Sequence, residues 1–259
     1  MNKNTTSDAI GHSATNQADC SLLIFDYGGT LDTESVHWSW VLWDAYMAEQ
    51  MPVSLQHFRE SYVYAERTLA REPLVKPEDN MLDLLRTKVD IETRYLMEHQ
   101  MLDTNEVSRR AQTEHIALRC YNHARAVVER SREVLEVLSH NHRLALVTNF
   151  YGNIHSILAD FHIDHLFPVV IESAVVGVRK PDPAIFRLAV EACGTTAGQT
   201  YVIGDSYSKD IVPAAQLGCK TIWIPGREWE DKPVDGNAAT AVLKHLSDLP
   251  GFFSDTASD

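Results

Sequence analysis

Three short apolar runs in this chain end on groups that can do chemistry. Leu-Leu-Ile-Phe at 22–25 is followed by Asp26, Leu-Ala-Leu-Val at 144–147 by Thr148 and Asn149, and Tyr-Val-Ile at 201–203 by Gly204 and Asp205. Carboxylates can attack an electrophile or ligate a cation, and hydroxyl and amide groups can hold the oxygens of an anion. Apolar runs of this length, bounded by polar residues or glycine, fit strands buried on both faces of a parallel sheet. Ligands of open parallel sheets bind beyond the carboxyl ends of the strands, so these residues are expected to meet in one place. Any one of them alone reads as a cap or turn residue. Three on one edge of one sheet read as a site.

The elements that must position them follow from the same pattern. Ile-Trp-Ile at 222–224 is a further strand candidate and Val-Val-Ile at 169–171 a weaker one. A helix is expected to start at Asp182 as N-cap, with Pro183 in its first position and Gly194 just past its end. Strand and helix alternate between about residues 130 and 225, the mark of a doubly wound α/β domain. Residues 34–127 contain no strand-like run. Their apolar spacing is helical, as at Met81, Leu85 and Val89, and Pro52, Pro73 and Pro77 divide them into several helices. The expected architecture is a doubly wound parallel-sheet (Rossmann-like) core, 21–33 and 128–253, with an inserted all-α helical cap at 34–127. Tails are expected at 1–20 and 254–259, and hinges for the cap near residues 32–34 and 126–130.

A chain of 259 residues with 44% hydrophobic and 23% charged residues can bury a full core. Its net charge of −13 argues against nucleic acid or an anionic membrane as partner, so a phosphate-bearing ligand needs a local positive site. Cys20, Cys120, Cys193 and Cys219 are widely spaced, which fits reduced thiols and a cytoplasmic protein. No apolar leader or membrane-length run is present, so neither secretion nor insertion is expected. A monomer or homodimer is expected.

Asp26-Tyr27-Gly28-Gly29-Thr30-Leu31-Asp32 resembles the first motif of the haloacid dehalogenase-like hydrolases. Thr148-Asn149 resembles the second, Lys180-Pro181-Asp182-Pro183 the third, and Gly204-Asp205-Ser206 with Asp210 the fourth, all in the family's order. The long helical insert after the first motif resembles the smaller, α-helical class of cap. The resemblance implies that Asp26 attacks phosphorus to form an aspartyl-phosphate, which water then hydrolyses. It implies Mg²⁺ held by Asp26, the Gly28 carbonyl, Asp205 and Asp210. Two carboxylates about 4 Å apart repel by roughly 4 kcal/mol at an effective dielectric near 20, so such a cluster calls for a cation. Lys180 would offset charge on the nucleophile and the phosphoryl group; Thr148, Asn149, Gly29 and nearby N–H groups would bind the substrate, a small phosphorylated metabolite. His37 is the cap residue expected nearest that substrate.

Gly28 departs from the family's pattern. Phosphatases of this type carry a second Asp there, which protonates the leaving oxygen and activates water. Glycine keeps the carbonyl but loses the acid, typically about 10²–10⁴-fold in rate. Four readings follow: a phosphatase for substrates with good leaving groups, or with its acid supplied by Asp32, Glu34 or His37; a phosphonate hydrolase using Lys76 or Lys88 as Schiff base; a haloacid dehalogenase, against which the acidic cluster argues; and a regulator that binds a phosphorylated ligand without turnover. The first is preferred. Around it, Trp40 and Trp43, with Val36, are expected to share a helical face while Trp38 lies elsewhere; Tyr46 belongs to the same aromatic stretch. Arg59, Arg67 and Arg71 are expected to be solvated.

Overall fold

A computed structural model describes residues 21–229 and 233–256. The expected tail at 1–20 lies outside the described residues. The sheet is built from β1 (Leu22–Phe25), β2 (Arg143–Thr148), β3 (Val169–Glu172), β4 (Thr200–Gly204), β5 (Lys220–Trp223) and β6 (Ala241–Val242). They run parallel in the order β3-β2-β1-β4-β5-β6. The four anticipated strands and the weaker fifth are all present. The sixth, two residues long, carries too little pattern to be read from sequence.

β1 shows why a continuous apolar run was needed. Leu23 and Phe25 pack on one face of the sheet with Leu144, Leu146 and Phe167. Leu22 and Ile24 pack on the other with Ala145, Val147, Ile185 and Phe186. Both faces are covered, so alternation with polar residues would bury unpaired groups. The strand order reverses at β1, with β2 on one side and β4 on the other. That switch point opens a crevice at the carboxyl ends of the strands.

Between β1 and β2 lie four helices: α1 (Trp38–Ala48), α2 (Leu55–Arg71), α3 (Met81–Glu98) and α4 (Glu106–Ser139). Side chains cap their starts: Ser54 accepts from His57 N, Asn80 and Asp83 form a capping box, and Asn105 accepts from Ser108 N. Phe58 at their centre is fully buried against Trp43 and Tyr46, and burying such a ring is worth roughly 1.5–3 kcal/mol. Arg109 is also fully buried, its guanidinium satisfied by Glu106, Asp90 and Thr93.

The structure corrects three expectations here. α4 runs without a break through 126–130, so the second expected hinge, and the boundary at 127 and 128, fall inside a helix. Leu135 and Leu138, near its end, join the core that covers the sheet. Residues 254–256, expected as tail, complete the last helix (Leu249–Thr256), whose Phe253 is buried. Trp40 leaves the bundle: its Nε1 donates to the Glu228 carbonyl at 2.8 Å, and its ring meets Trp229 and Arg227. Of the two tryptophans, Trp43 packs inward on Phe58. None of the described helices is long and apolar enough to cross a membrane.

Candidate active site

Asp26 leaves β1 at the switch point, buried, and the loop after it is shaped by glycine and by Asp32. Gly29 has φ +103°, a conformation side chains rarely adopt. A Cβ there would fall 2.7 Å from Asp205 Cγ, so the backbone can approach the second carboxylate only as glycine. Asp32 Oδ1 accepts from Gly29 N at 2.7 Å and its Oδ2 from Trp38 Nε1 at 2.9 Å. Burial, above all, pushes the Asp32 carboxyl up to about 7. Gly28 differs from Gly29: a Cβ there would meet nothing within 4 Å.

Asp205 follows β4, and Asp210 lies in the π-helical turn Tyr207–Ile211 that comes next. One carboxylate oxygen from each of Asp26, Asp205 and Asp210 lies within 4.8 Å of the others, and all three residues are buried. Thr30 Oγ1 sits between two of them, 3.2 Å from Asp26 Oδ2 and 3.0 Å from Asp205 Oδ1. Its single proton serves one carboxylate at a time. Lys180 Nζ donates to Asp26 Oδ1 and, at 2.6 Å, to Asp210 Oδ1. Burial works against the Lys180 ammonium, but Asp210 and Asp26 overcome it and raise its pKa. Burial, then Asp26 and Asp210, push Asp205 well above the ordinary carboxylate range. Three carboxylates against one ammonium leave two uncompensated negative charges, which fits a divalent cation held by oxygen ligands. Asp210 Oδ2 also accepts from Ser206 N at 3.1 Å, so both its oxygens already have protein donors. Both oxygens of Asp26 likewise face donors, from Lys180 and Thr30, so Asp205 is the freest ligand of the three.

The cluster floors a cavity of about 200 Å³. Asp26, Gly28, Gly29, Thr148, Asn149, Lys180, Asp205, Asp210 and His37, drawn from four separate stretches of chain, all line it. Asn149 has a narrower part than expected. Its Nδ2 donates to the Lys180 carbonyl at 3.0 Å and its Oδ1 accepts from Lys180 N at 2.9 Å, so its amide positions Lys180. Asp182 Oδ1 accepts from Ala184 N at 2.9 Å, but the helix it precedes (Ala184–Ala192) has Pro183, not the expected Asp182, at its N-cap position.

Two candidates for the missing acid lie elsewhere. Asp32 is sealed in the loop by two donors, and Glu34 is exposed and paired with Arg130. Of the three, only His37 lines the cavity. The two lysines divide as well: Lys88 is buried against the cavity and Lys76 does not line it. Burial opposes the Lys88 ammonium, yet Glu66 holds it well above its ordinary pKa, the reverse of the free amine a Schiff base requires.

Thr30, Glu66, Tyr62, Tyr151, Arg179 and Lys209 were not singled out from sequence. A signal for the Lys88 pocket existed, since Lys88 and Glu92 sit on the stripe of α3 marked by Met81 and Leu85. Gly29→Ala tests the loop geometry. It should weaken divalent-cation binding about 10- to 100-fold by displacing Asp205, read by titration calorimetry.

A family model for haloacid dehalogenase-like hydrolases matches residues 20–218, and the chain belongs to that family. A phosphoserine phosphatase from Thermus thermophilus is 34% identical over 82 residues, covering 31% of this chain and 33% of that protein. A glyceraldehyde 3-phosphate phosphatase from Pyrococcus abyssi is 36% identical over 103 residues, 39% of this chain and 40% of that one. The match thus spans between about a quarter and about half the length of the curated relatives. Among solved structures, a dehalogenase with an intermediate complex superposes with a TM-score of 0.61 at 15% identity, covering 90% of this chain and 97% of that one. The hydrolase YfnB from Bacillus subtilis, bound to magnesium, gives 0.56 at 18%, covering 91% and 99%. At such identities these two likenesses concern the fold alone.

Proposed function

We propose that this chain is a Mg²⁺-dependent phosphatase for a small phosphorylated metabolite, with the helices of 34–127 serving as a cap over the site. The observation that carries the reading is the buried cluster of Asp26, Asp205, Asp210, Lys180 and Thr30 at the floor of one cavity. Asp26, Asp205 and the Gly28 carbonyl would hold the ion, with Asp210 completing the set. Mg²⁺ bound there would offset the excess negative charge and polarise the phosphoryl group.

The chain's own groups do the rest. Asp26 attacks phosphorus with one carboxylate oxygen while Lys180 compensates the charge that builds on the phosphoryl oxygens. The Thr148 hydroxyl, buried at the end of β2, binds one of those oxygens. Asn149 keeps Lys180 in place. The cap walls the cavity with Trp38, Tyr62, Met81, Leu84 and Leu85, which exclude bulk water from the aspartyl-phosphate. Water then hydrolyses the aspartyl-phosphate, releasing phosphate and restoring Asp26. Glu66 and Glu228 also line the cavity, with burial holding the Glu228 carboxyl above its ordinary range, but position 28 itself brings no acid, so good leaving groups are favoured. The free thiols of Cys120, Cys193 and Cys219 fit a reducing, cytoplasmic setting.

Hydrolysis of p-nitrophenyl phosphate should require Mg²⁺, vanish on chelation and return when the ion is restored. Turnover that ignores chelation would refute the reading. So would tight binding of phosphorylated compounds with no turnover of any of them.

A further inference from the structure

The cap side of the cavity carries charge that the steps above do not use. Lys88 of α3 is buried there, ion-paired with Glu66 Oε1 from α2, with its Nζ 4.7 Å from the centre of the Tyr62 ring. The second Glu66 oxygen accepts from Tyr151 Oη at 2.9 Å, so both carboxylate oxygens are taken. Among the described residues Glu66 is the sole acceptor for Lys88. An ammonium has three donors, and burial makes leaving the others unpaired costly. The space available to them is the cavity that Lys88 lines.

His37 adds a second donor. Its Nδ1 accepts from Ser39 N at 3.2 Å, and Ser39 Oγ lies 2.8 Å from the same nitrogen. The proton of the neutral ring therefore sits on Nε2. The ring is neutral near pH 7, because burial foremost, then Lys209 and Lys88, pulls its pKa down to about 4. Nε2–H has no partner among the described residues. The charged groups around Lys88 and His37 are thus Glu66, already occupied, Glu92, whose Oε2 accepts from Tyr46 and whose Oε1 is unpaired, and, in the cavity lining, Glu228, which faces Lys209, with the cations Arg179 and Lys209.

We propose that Lys88 and His37 form a subsite for a carboxylate on the departing fragment, so that the favoured substrate is a small phosphate compound whose leaving group carries or becomes a carboxylate. This rests on the phosphatase reading above. A donor-only set suits an acceptor-only group. A leaving group with an ammonium would meet Lys88 as a like charge. A cavity of about 200 Å³ limits that fragment to a few heavy atoms beyond the phosphate. The bond from Asp26 to phosphorus forms as the bond to the leaving oxygen breaks, and the electron pair departs with that oxygen. From an acyl phosphate it leaves as a carboxylate needing no proton; from a hydroxy-acid ester it takes a proton from water. Both sources present the same chemistry to Lys88, and the first also needs nothing from Gly28.

The test measures kcat/KM of the full chain with Mg²⁺ on phosphoglycolate, phosphoethanolamine and acetyl phosphate. Phosphoglycolate should exceed phosphoethanolamine about 10- to 100-fold, the worth of a hydrogen bond to a charged group. The double variant Lys88→Met/Glu66→Gln removes both charges of the pair, so neither is left buried alone. Its melting temperature checks the fold, and its preference should collapse toward one. A native preference of one or less, or one that the double variant leaves intact, overturns the subsite. A loss of acetyl phosphate turnover in the double variant larger than its loss on p-nitrophenyl phosphate supports the subsite with the carboxylate formed at the leaving oxygen; such a loss on phosphoglycolate alone supports it with the carboxylate as a substituent. Turnover of p-nitrophenyl phosphate without the preference sinks the subsite alone. Absence of all turnover, with tighter calorimetric binding of phosphoglycolate than of phosphoethanolamine, sinks the phosphatase reading and leaves the subsite standing.

Discussion

Asp26→Asn should reduce turnover of p-nitrophenyl phosphate by at least about 10⁴-fold, because it replaces the nucleophile with an amide that cannot form a stable phosphoryl bond. The fold should survive. Asparagine matches the carboxylate in size: its Oδ1 can keep accepting from Lys180 Nζ while its Nδ2 donates to Thr30 Oγ1, whose own proton turns to Asp205. Removing one of three buried carboxylates also relieves repulsion that Lys180 only partly offsets. The variant should therefore melt no lower than the parent chain in the absence of Mg²⁺. A large loss of rate with an unchanged or raised melting temperature separates chemistry from folding. Loss of both together would assign Asp26 a structural part instead.

Gly28→Asp should have the largest effect in the opposite direction. A Cβ at Gly28 meets nothing within 4 Å, and its φ lies outside the left-handed region, so a side chain can enter without moving the loop. An aspartic acid there could protonate the leaving oxygen and then activate water, worth about 10²–10⁴-fold. The gain should appear on alkyl phosphates, whose leaving oxygens need a proton. It should be far smaller on aryl and acyl phosphates, which leave as stabilised anions. Initial rates on phosphoglycolate and p-nitrophenyl phosphate check this, and equal gains on both would mean that Gly28 does not mark a missing acid.

The floor of the site was legible because its residues are tied to strand ends. Asp26 and Asp205 each follow a run buried on both faces, and their meeting is a property of parallel sheets. Lys180 and Asp210 followed only from the order of the motifs. The resemblance alone could not have shown that Asn149 spends its amide on the Lys180 backbone, nor that Asp32 is closed off by Gly29 and Trp38. Those are tertiary pairings between polar groups, which leave no periodic trace. Trp40 misled for a related reason. Its spacing from Trp43 is that of one helical face, yet the loop after β5, bringing Trp229, competes for its ring. The continuity of α4 through 126–130 was hidden because both of its halves have helical spacing. Lys88 was named from sequence only as a possible Schiff base; its pairing with Glu66 was the most readable omission, since a lysine on the apolar stripe of α3 must find both an acid and a cavity.

The central claim is that Asp26 carries the phosphoryl group in turn, and Gly28 offers a way to see it. Without a carboxylic acid there to activate water, hydrolysis of the aspartyl-phosphate should lag behind its formation from a good leaving group. Rapid acid quenching of the native chain during turnover of p-nitrophenyl phosphate with Mg²⁺, followed by peptide mass spectrometry, should find the phosphoryl group on Asp26. A phosphoryl group on another residue would contradict the account, as would steady turnover with none on Asp26.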